Sequence, residues 1–364
     1  MVAFAFSLPY HVLRTAAAAG VRVHVLGSGA SRGLRMSRYC RGYRESRFAG
    51  DPEALAAEIA ELVACEAIEV VFPSDDVSTR LLAALAPCLP VRTTPLPELA
   101  AFDLLNDKWN FTRFCEENGI RAAPGSLFAS GEALRRAVDA GEAALPLTVK
   151  PINRSGGFGV LHLRGAADLA ALDRVDYRPI LAQRHIVGET IGISVLCDRG
   201  RVVAHAVQRR ENGRFELFAE PELVADVTRL AALTGLNGPA NFDAVLADAD
   251  RRSYLVECNP RFWYSIYMAM IAGLNFVGLA LDQAFGEAPG ADTSLARGEF
   301  SLSWSDILAR PWRATRSDWR LLRYDVSDPL AYLLRRANSY DDSDVAVPIA
   351  DMSRYRGIQR PAVT

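Results

Sequence analysis

Along the first hundred residues, short apolar runs alternate with amphipathic stretches. Residues 2–6, 21–26 and 68–72 are apolar runs of strand length, while 10–19, 52–65 and 76–85 carry helical spacing. This βαβαβα order predicts a parallel sheet of Rossmann type. Residues 37–40 read as a polar connector at an edge. A helix is expected over 108–118, capped by Asn106 or Asp107, stopped by Gly119 and striped with Phe111, Phe114 and Cys115. Strands follow at 122–129, 147–151, 160–163 and 179–186, with a helix at 131–140. Residues 191–196 and 201–207 predict a hairpin, and 222–233 a helix ended by Gly235. Helices are also expected at 263–272, near 306–310 and at 329–337, with a solvated turn at Asp341, Asp342 and Asp344.

The stretch N-F-D-A-V-L-A-D-A-D-R-R-S-Y-L-V-E-C-N-P-R, residues 241–261, has two β-like runs around a polar tip. A turn centred on position 250 places Asp243 across from Glu257. Alternation then puts Asp243, Glu257 and Asn259 on one face, with Phe242, Ala244 and Leu246 on the other. Two carboxylates facing each other, with Cβ atoms roughly 5 Å apart, repel. A bound cation reverses that sign, and two carboxylates with an amide oxygen form the all-oxygen set that Mg²⁺ takes. A solvated hairpin with ordinary acids is the other reading of the same residues. Pro260 ends the strand, and Arg261 stands at its carboxyl end, where a guanidinium can face an anion.

Lys108 falls in the first turn of its helix, where a cation opposes the dipole unless an anion is shared there. Lys150 closes the strand L-T-V-K-P. The segment N-R-S-G-G-F-G-V that follows carries Ser155, Gly156, Gly157 and Gly159. Glycines at this density let backbone N–H groups approach a polyphosphate, or make a flexible hairpin without a ligand. The order lysine, glycines, strand is not that of a Walker loop. In Q-R-H-I-V-G-E-T, apolar Ile180, Leu181 and Ile186 can floor an adenine, backbone groups of Arg184, His185 and Ile186 can read its edge, and Glu189 can accept from ribose hydroxyls. Gly27, Gly29 and Gly33 have GxGxxxG spacing and follow the second strand rather than the first, which favours a loop over a dinucleotide fingerprint.

Composition narrows the classes. The chain has 364 residues, half of them hydrophobic, and a net charge of -2, which does not suit a polyanion binder. Its six cysteines form no CxxC pair, and its five histidines no HExxH cluster, so free, mostly buried thiols are expected in place of disulfides or zinc. The apolar stretch 266–281 is interrupted by Gly273, Asn275 and Gly278 and falls short of a membrane span. A soluble cytoplasmic protein with no nucleic-acid or membrane partner is expected.

The order of parts resembles the ATP-grasp superfamily, most closely its carboxylate–amine ligase group, which includes carbamoyl-phosphate-synthase-type modules. The resemblance rests on N-D-K, V-K-P-x-x-x-x-x-G-G-x-G-V, Q-R-H-I-V-G-E, N-F-D and E-C-N-P-R-F-W, and covers roughly residues 1–285. It implies an α/β, ATP-grasp fold: a Rossmann-like domain (1–105), then two α+β subdomains enclosing ATP (106–187 and 188–290), with 291–364 as a C-terminal extension packed on them. It implies ATP and Mg²⁺, with Lys108 and Lys150 on the phosphates and the Ser155–Gly159 loop as a flap. Gln183, Arg184, His185 and Ile186 become the adenine hinge and Glu189 the ribose contact. Asp243, Glu257 and Asn259 hold the metal, and Arg261 contacts the transferred phosphoryl or the acyl intermediate, with Lys150 as the second catalytic residue. Gln183 and Arg184 stand where the family usually has an acidic hinge residue. Asp243 replaces Gln or Glu, and Tyr264 replaces a small residue, which narrows the expected pocket; Phe262, Trp263 and Tyr264 then suggest a modest, partly apolar acid. The implied activity is ligation of a carboxylic acid to an amine through an acyl phosphate. An ATP-binding regulatory protein is the alternative. Dimers are common in that family, which makes a homodimer one assembly to test for.

Overall fold

The computed structural model describes residues 1–48, 50–154, 157–211, 213–287, 298–301 and 304–337. Ser155, Gly156 and the expected turn at 341–344 lie outside the described residues.

The N-terminal unit runs β1 (Val2–Ala3), α1 (Ser7–Ala18), β2 (Val23–Gly27), β3 (Cys40–Glu45), α2 (Pro52–Glu66), β4 (Val70–Val71), α3 (Asp76–Leu85), β5 (Arg92–Thr93) and α4 (Leu99–Asn106). All pairings are parallel, and a bridge between Val2 and Pro73 joins β1 to the β4 end, giving the order 3-2-1-4-5 of a Rossmann-type sheet. Asp51 caps α2 just before Pro52. Asp75 caps α3 in a reciprocal box with Ser78 and also accepts from the backbone N–H groups of Phe4 and Ala5. β3, to which no element was assigned beyond the connector at 37–40, is a strand; its C-R-G-Y-R-E pattern is that of a half-exposed edge.

The second unit is α5 (Lys108–Glu117), β6 (Gly125–Phe128), α6 (Gly131–Asp139), β7 (Leu147–Pro151), β8 (Leu161–Leu163) and β9 (Ile180–Arg184). Its antiparallel sheet has the order β6-β9-β7-β8. The third is β10 (Gly188–Asp198), β11 (Arg201–Glu211), β12 (Arg214–Phe218), α7 (Pro221–Thr234), β13 (Gly238–Ala247), β14 (Ser253–Asn259), α8 (Ile266–Ile271), α9 (Phe276–Ala284) and β15 (Gly298–Ser301). These strands form a six-stranded antiparallel sheet, β14-β13-β10-β11-β12-β15. Helices α10 (Trp304–Ala309), α11 (Arg316–Val326) and α12 (Pro329–Ala337) complete the described chain.

One face of the large sheet buries Ile191, Ile193, Val195, Phe242, Ala244 and Leu246 against α5 and α7. On the other, Ala204, Ala206, Phe215, Leu217 and Phe300 share a core with α1, α8 and α9. That core contains no residue of β13 or β14, whose strands carry Asn241, Asp243 and Asn259 and are reached by Lys150 of the small sheet. No described helix is long and apolar enough to cross a membrane.

Candidate active site

The hairpin register is the expected one: Asn241 pairs with Asn259 and Asp243 with Glu257. Beyond Asp243 the pairing slips by one, because β14 takes an extra residue at Val256. The Val256 carbonyl accepts from Lys150 Nζ at 3.1 Å. Burial, then the charge and hydrogen bond of Glu257, push the Asp243 carboxyl up to about 7. Burial also works to raise Glu257, but Lys108 and Lys150 outweigh it and hold its carboxyl below the usual range. The two carboxyls are thus pushed apart, and a proton held on Asp243 lies where a cation would satisfy both acids. A polar chain supports the pair: Asn241 Nδ2 donates to Asp243 Oδ1 (3.1 Å), and Ser194 Oγ (2.9 Å) and Gln208 Nε2 (3.4 Å) donate to Asn241 Oδ1. Gly192, opposite Asp243, brings no side chain to this face, and a Cβ there would stand 3.3 Å from Gln208 Nε2.

This donor set suits Mg²⁺. No cluster of three His, Cys, Asp or Glu occurs among the described residues, so protein ligands would be Asp243, Glu257 and amide oxygens, with phosphate and water completing the shell. Asn259 Oδ1 already accepts from Arg261 Nη2 at 3.1 Å and keeps its second lone pair for such a role.

Both lysines converge here. Asp107 caps α5 by accepting from Trp109 and Asn110. Lys108 lies over that helix end, its Nζ 3.3 Å from Glu257 Oε2 and donating to the Arg154 carbonyl at 2.6 Å. Lys150 is 2% exposed; burial brings its ammonium down to about 8 against the pull of Glu257. Of the glycine loop, Gly157 and Gly159 are described, both at φ 78, a region closed to most side chains. A Cβ on Gly159 would stand 3.0 Å from the Tyr177 ring, and Tyr177 donates to its carbonyl at 2.6 Å.

Arg261 is tied away from the lysines. Its Nε pairs with Asp76 at the start of α3, and its Nη1 donates to the Phe262 carbonyl at 2.9 Å. Asp76 carries no sequence signal for this role, since the pairing spans the fold. The Gly27–Gly33 segment, expected to be a loop, runs from the end of β2 through a turn into a 3-10 helix (Arg32–Met36): the Tyr43 hydroxyl donates to the Ser28 carbonyl at 2.5 Å, and a Cβ on Gly27 would collide with Ser31.

Several expected contacts are corrected. Gln183 is buried, and its Nε2 donates to Thr112 Oγ1 (2.9 Å) and the Ala123 carbonyl (3.1 Å), so its side chain joins α5 to the small sheet. The N–H groups of Arg184 and His185 donate to the Pro124 and Pro146 carbonyls, leaving Ile186 and the remaining carbonyls of this segment for a base edge. Glu189 pairs with Leu246, on the face opposite Asp243, and forms an ion pair with Arg209 at 3.3 Å; Thr190 takes the cleft-facing position. Phe262 and Trp263 belong to the core. Of the six free cysteines, Cys65 and Cys88 are exposed, contrary to expectation. The sequence reading passed over His162, which with His185 flanks Thr148: His185 Nδ1 lies 2.9 Å and His162 Nδ1 3.2 Å from its hydroxyl.

Residues 176–305 match the family "ATP-grasp in the biosynthetic pathway with Ter operon". A search of curated proteins returns no match. Similar solved structures include an L-amino acid ligase from Bacillus licheniformis (20% identity, TM-score 0.58, 78% of this chain and 73% of that one). An ATP complex of carboxyaminoimidazole ribonucleotide synthase from Aspergillus clavatus aligns at 16% identity and TM-score 0.62, over 81% of this chain and 79% of that one. A biotin carboxylase from Campylobacter jejuni aligns at 17% and 0.62, over 82% and 74%. The chain has the ATP-grasp fold, and the resemblance read from its motifs is to the superfamily that the matched segment also identifies.

Proposed function

We propose that the chain is an ATP-dependent ligase that joins a small carboxylic acid to an amine, with release of ADP and phosphate. The observation that carries this reading is the convergence of two buried lysines on a facing acid pair: Lys108 Nζ 3.3 Å from Glu257, and Lys150 Nζ on the carbonyl next to it. Buried cations and paired acids left in this state are costly; a polyphosphate with a divalent ion answers both. The two lysines, with Arg261 at the strand end, offset charge on the phosphoryl group in flight. Bound Mg²⁺ would supply further neutralisation and alignment of the γ-phosphate.

A carboxylate oxygen of the acid attacks the γ-phosphorus and ADP leaves. The amine nitrogen then attacks the acyl carbon, phosphate leaves with the C–O electron pair, and the nitrogen gives up a proton. The loop containing Gly157 and Gly159 is suited to covering the phosphates and keeping water from the anhydride. Thr190 replaces Glu189 as the side chain offered to the ribose, and Ile186 remains the backbone contact for adenine.

Hydroxylamine tests the reaction. With Mg–ATP and a panel of acids, a hydroxamate should form in step with ADP. Formation of AMP and pyrophosphate excludes the mechanism. Tight Mg–ATP binding with no hydroxamate from a broad panel favours a regulatory role.

A further inference from the structure

Around the junction of α1, α8 and α12, four buried side-chain nitrogens have no hydrogen-bond partner among the described residues: His11 Nε2, Arg14 Nε, Trp263 Nε1 and Arg335 Nε. His11, Arg14 and Arg335 all meet the Tyr10 ring, with centroid distances of 5.4, 5.2 and 5.8 Å respectively. His11 is fully buried, its Nδ1 3.0 Å from the Tyr324 hydroxyl, and it stacks on Tyr267 at 4.2 Å and meets Tyr264 edge-on at 4.8 Å. Tyr267 stacks in turn on Tyr324 at 5.0 Å.

The two guanidinium groups differ. Arg14 is 3% exposed and committed: it donates to the Tyr10 hydroxyl, the Tyr324 carbonyl and Ser327 Oγ. Arg335 is only partly covered, and its Nη1 donates to the Tyr264 hydroxyl. Asp325, on α11, is the acid in its field, while both oxygens of Asp328 are taken by Ser37 and Arg38. Tyr264, Ser265, Tyr267 and Gln208 are also partly exposed, so this patch opens to solvent.

It also adjoins the acid pair. Ser265 Oγ donates to Gln208 Oε1 at 2.9 Å, and Gln208 leads through Asn241 to Asp243. A ligand complementary to ring faces and cationic N–H donors is planar, apolar in body and anionic at one end.

We infer that Arg335, brought by α12, recognises the carboxylate of a small substrate whose planar body lies against Tyr264 and the exposed edge of Tyr267. This names the substrate class for the proposed ligase and rests on that reading for its catalytic meaning, but not for binding. The C-terminal helix thereby becomes part of the site, with Arg335 as a specificity-determining residue. His11 and Tyr324 hold the ring wall in place.

Calorimetry on the full chain with Mg–ADP present, using benzoate as the probe and benzamide as its neutral counterpart, tests this. Benzoate should bind saturably, and benzamide at least tenfold more weakly. Arg335→Met should lose benzoate at least tenfold while keeping Mg–ADP affinity, which also reports that it is folded; Arg335→Lys should retain part. Tyr264→Phe, which leaves the guanidinium in place, should bind benzoate less than tenfold more weakly. Wild-type chain indifferent to benzoate, or Arg335→Met binding it within twofold, overturns the inference. Hydroxamate formation with benzoate binding absent leaves the ligase standing and removes the subsite; benzoate binding without any hydroxamate does the reverse.

Discussion

The Lys150 ammonium sits 3.1 Å from the carbonyl of Val256, the extra residue in the strand that presents Glu257. The small sheet is thereby pinned to the large one at the site itself. With its ammonium brought down to about 8 by burial, Lys150 loses its charge within an accessible range. Mg–ADP affinity should therefore be highest below pH 8 and fall above it. Lys150→Met should bind at least tenfold more weakly at pH 7 and lose that pH dependence. Titration by calorimetry from pH 6.5 to 9.5 reads both, and an unchanged profile in the variant assigns the effect elsewhere.

Asp243→Asn should separate stability from turnover. An amide can donate to Glu257 without carrying a charge, so metal-free stability should stay the same or rise by about 1 kcal/mol. Turnover should fall by roughly 10²–10³, as should that of Glu257→Gln, which keeps part of its nucleotide affinity. Denaturant melts beside ADP release check this; near wild-type turnover in either variant at saturating Mg²⁺ would remove the acid pair from the mechanism.

Arg261→Ala leaves Asp76 without its partner and Asn259 without a donor. About 3 kcal/mol of stability should be lost, with turnover reduced at least a hundredfold. Asp76→Asn should lose less stability, because the guanidinium keeps the Phe262 carbonyl and Asn259. Urea unfolding of both variants gives the ranking, and the reverse order would count against the pairing.

His11 is buried and neutral, its imidazole held well below its ordinary 6.5 mainly by burial and then by Arg335 and Arg14. The unfolded chain therefore takes up a proton that the folded one refuses, and stability falls as pH drops below 6.5. That loss approaches about 1.4 kcal/mol per pH unit for one group. His11→Phe changes the baseline stability but should remove this slope. Denaturation of both proteins between pH 7.5 and 5.5 isolates the difference from other histidines.

How much the sequence disclosed depended on whether a feature was local. Asp243 and Glu257 lie equally far from the hairpin tip, so alternation alone paired them. The slip at Val256 was hidden because one added residue leaves the N-F-D and E-C-N motifs intact. Glu189 was expected at the ribose from its nearness to Gly188, whereas pairing with Leu246 sends it to the face opposite Asp243. Gln183 looked like a hinge residue because only the folded chain brings Thr112 and Ala123 to its amide. Phe262 and Trp263 follow Arg261 directly, yet the backbone turns them into the core. Tail helix Pro329–Ala337 was legible from its periodicity, but its reach to Tyr264 was not.

The Arg261–Asp76 pair also bears on modularity. A fragment beginning at residue 106 would contain both lysines and both acids, yet its Arg261 guanidinium would keep only the Phe262 carbonyl and Asn259. Such a piece could retain nucleotide affinity while loosening a cation that α3 of the N-terminal unit holds in position. The Rossmann-like unit is then a brace for the reaction centre, and exchanging it between relatives should carry over activity only where an acid is preserved at the head of α3.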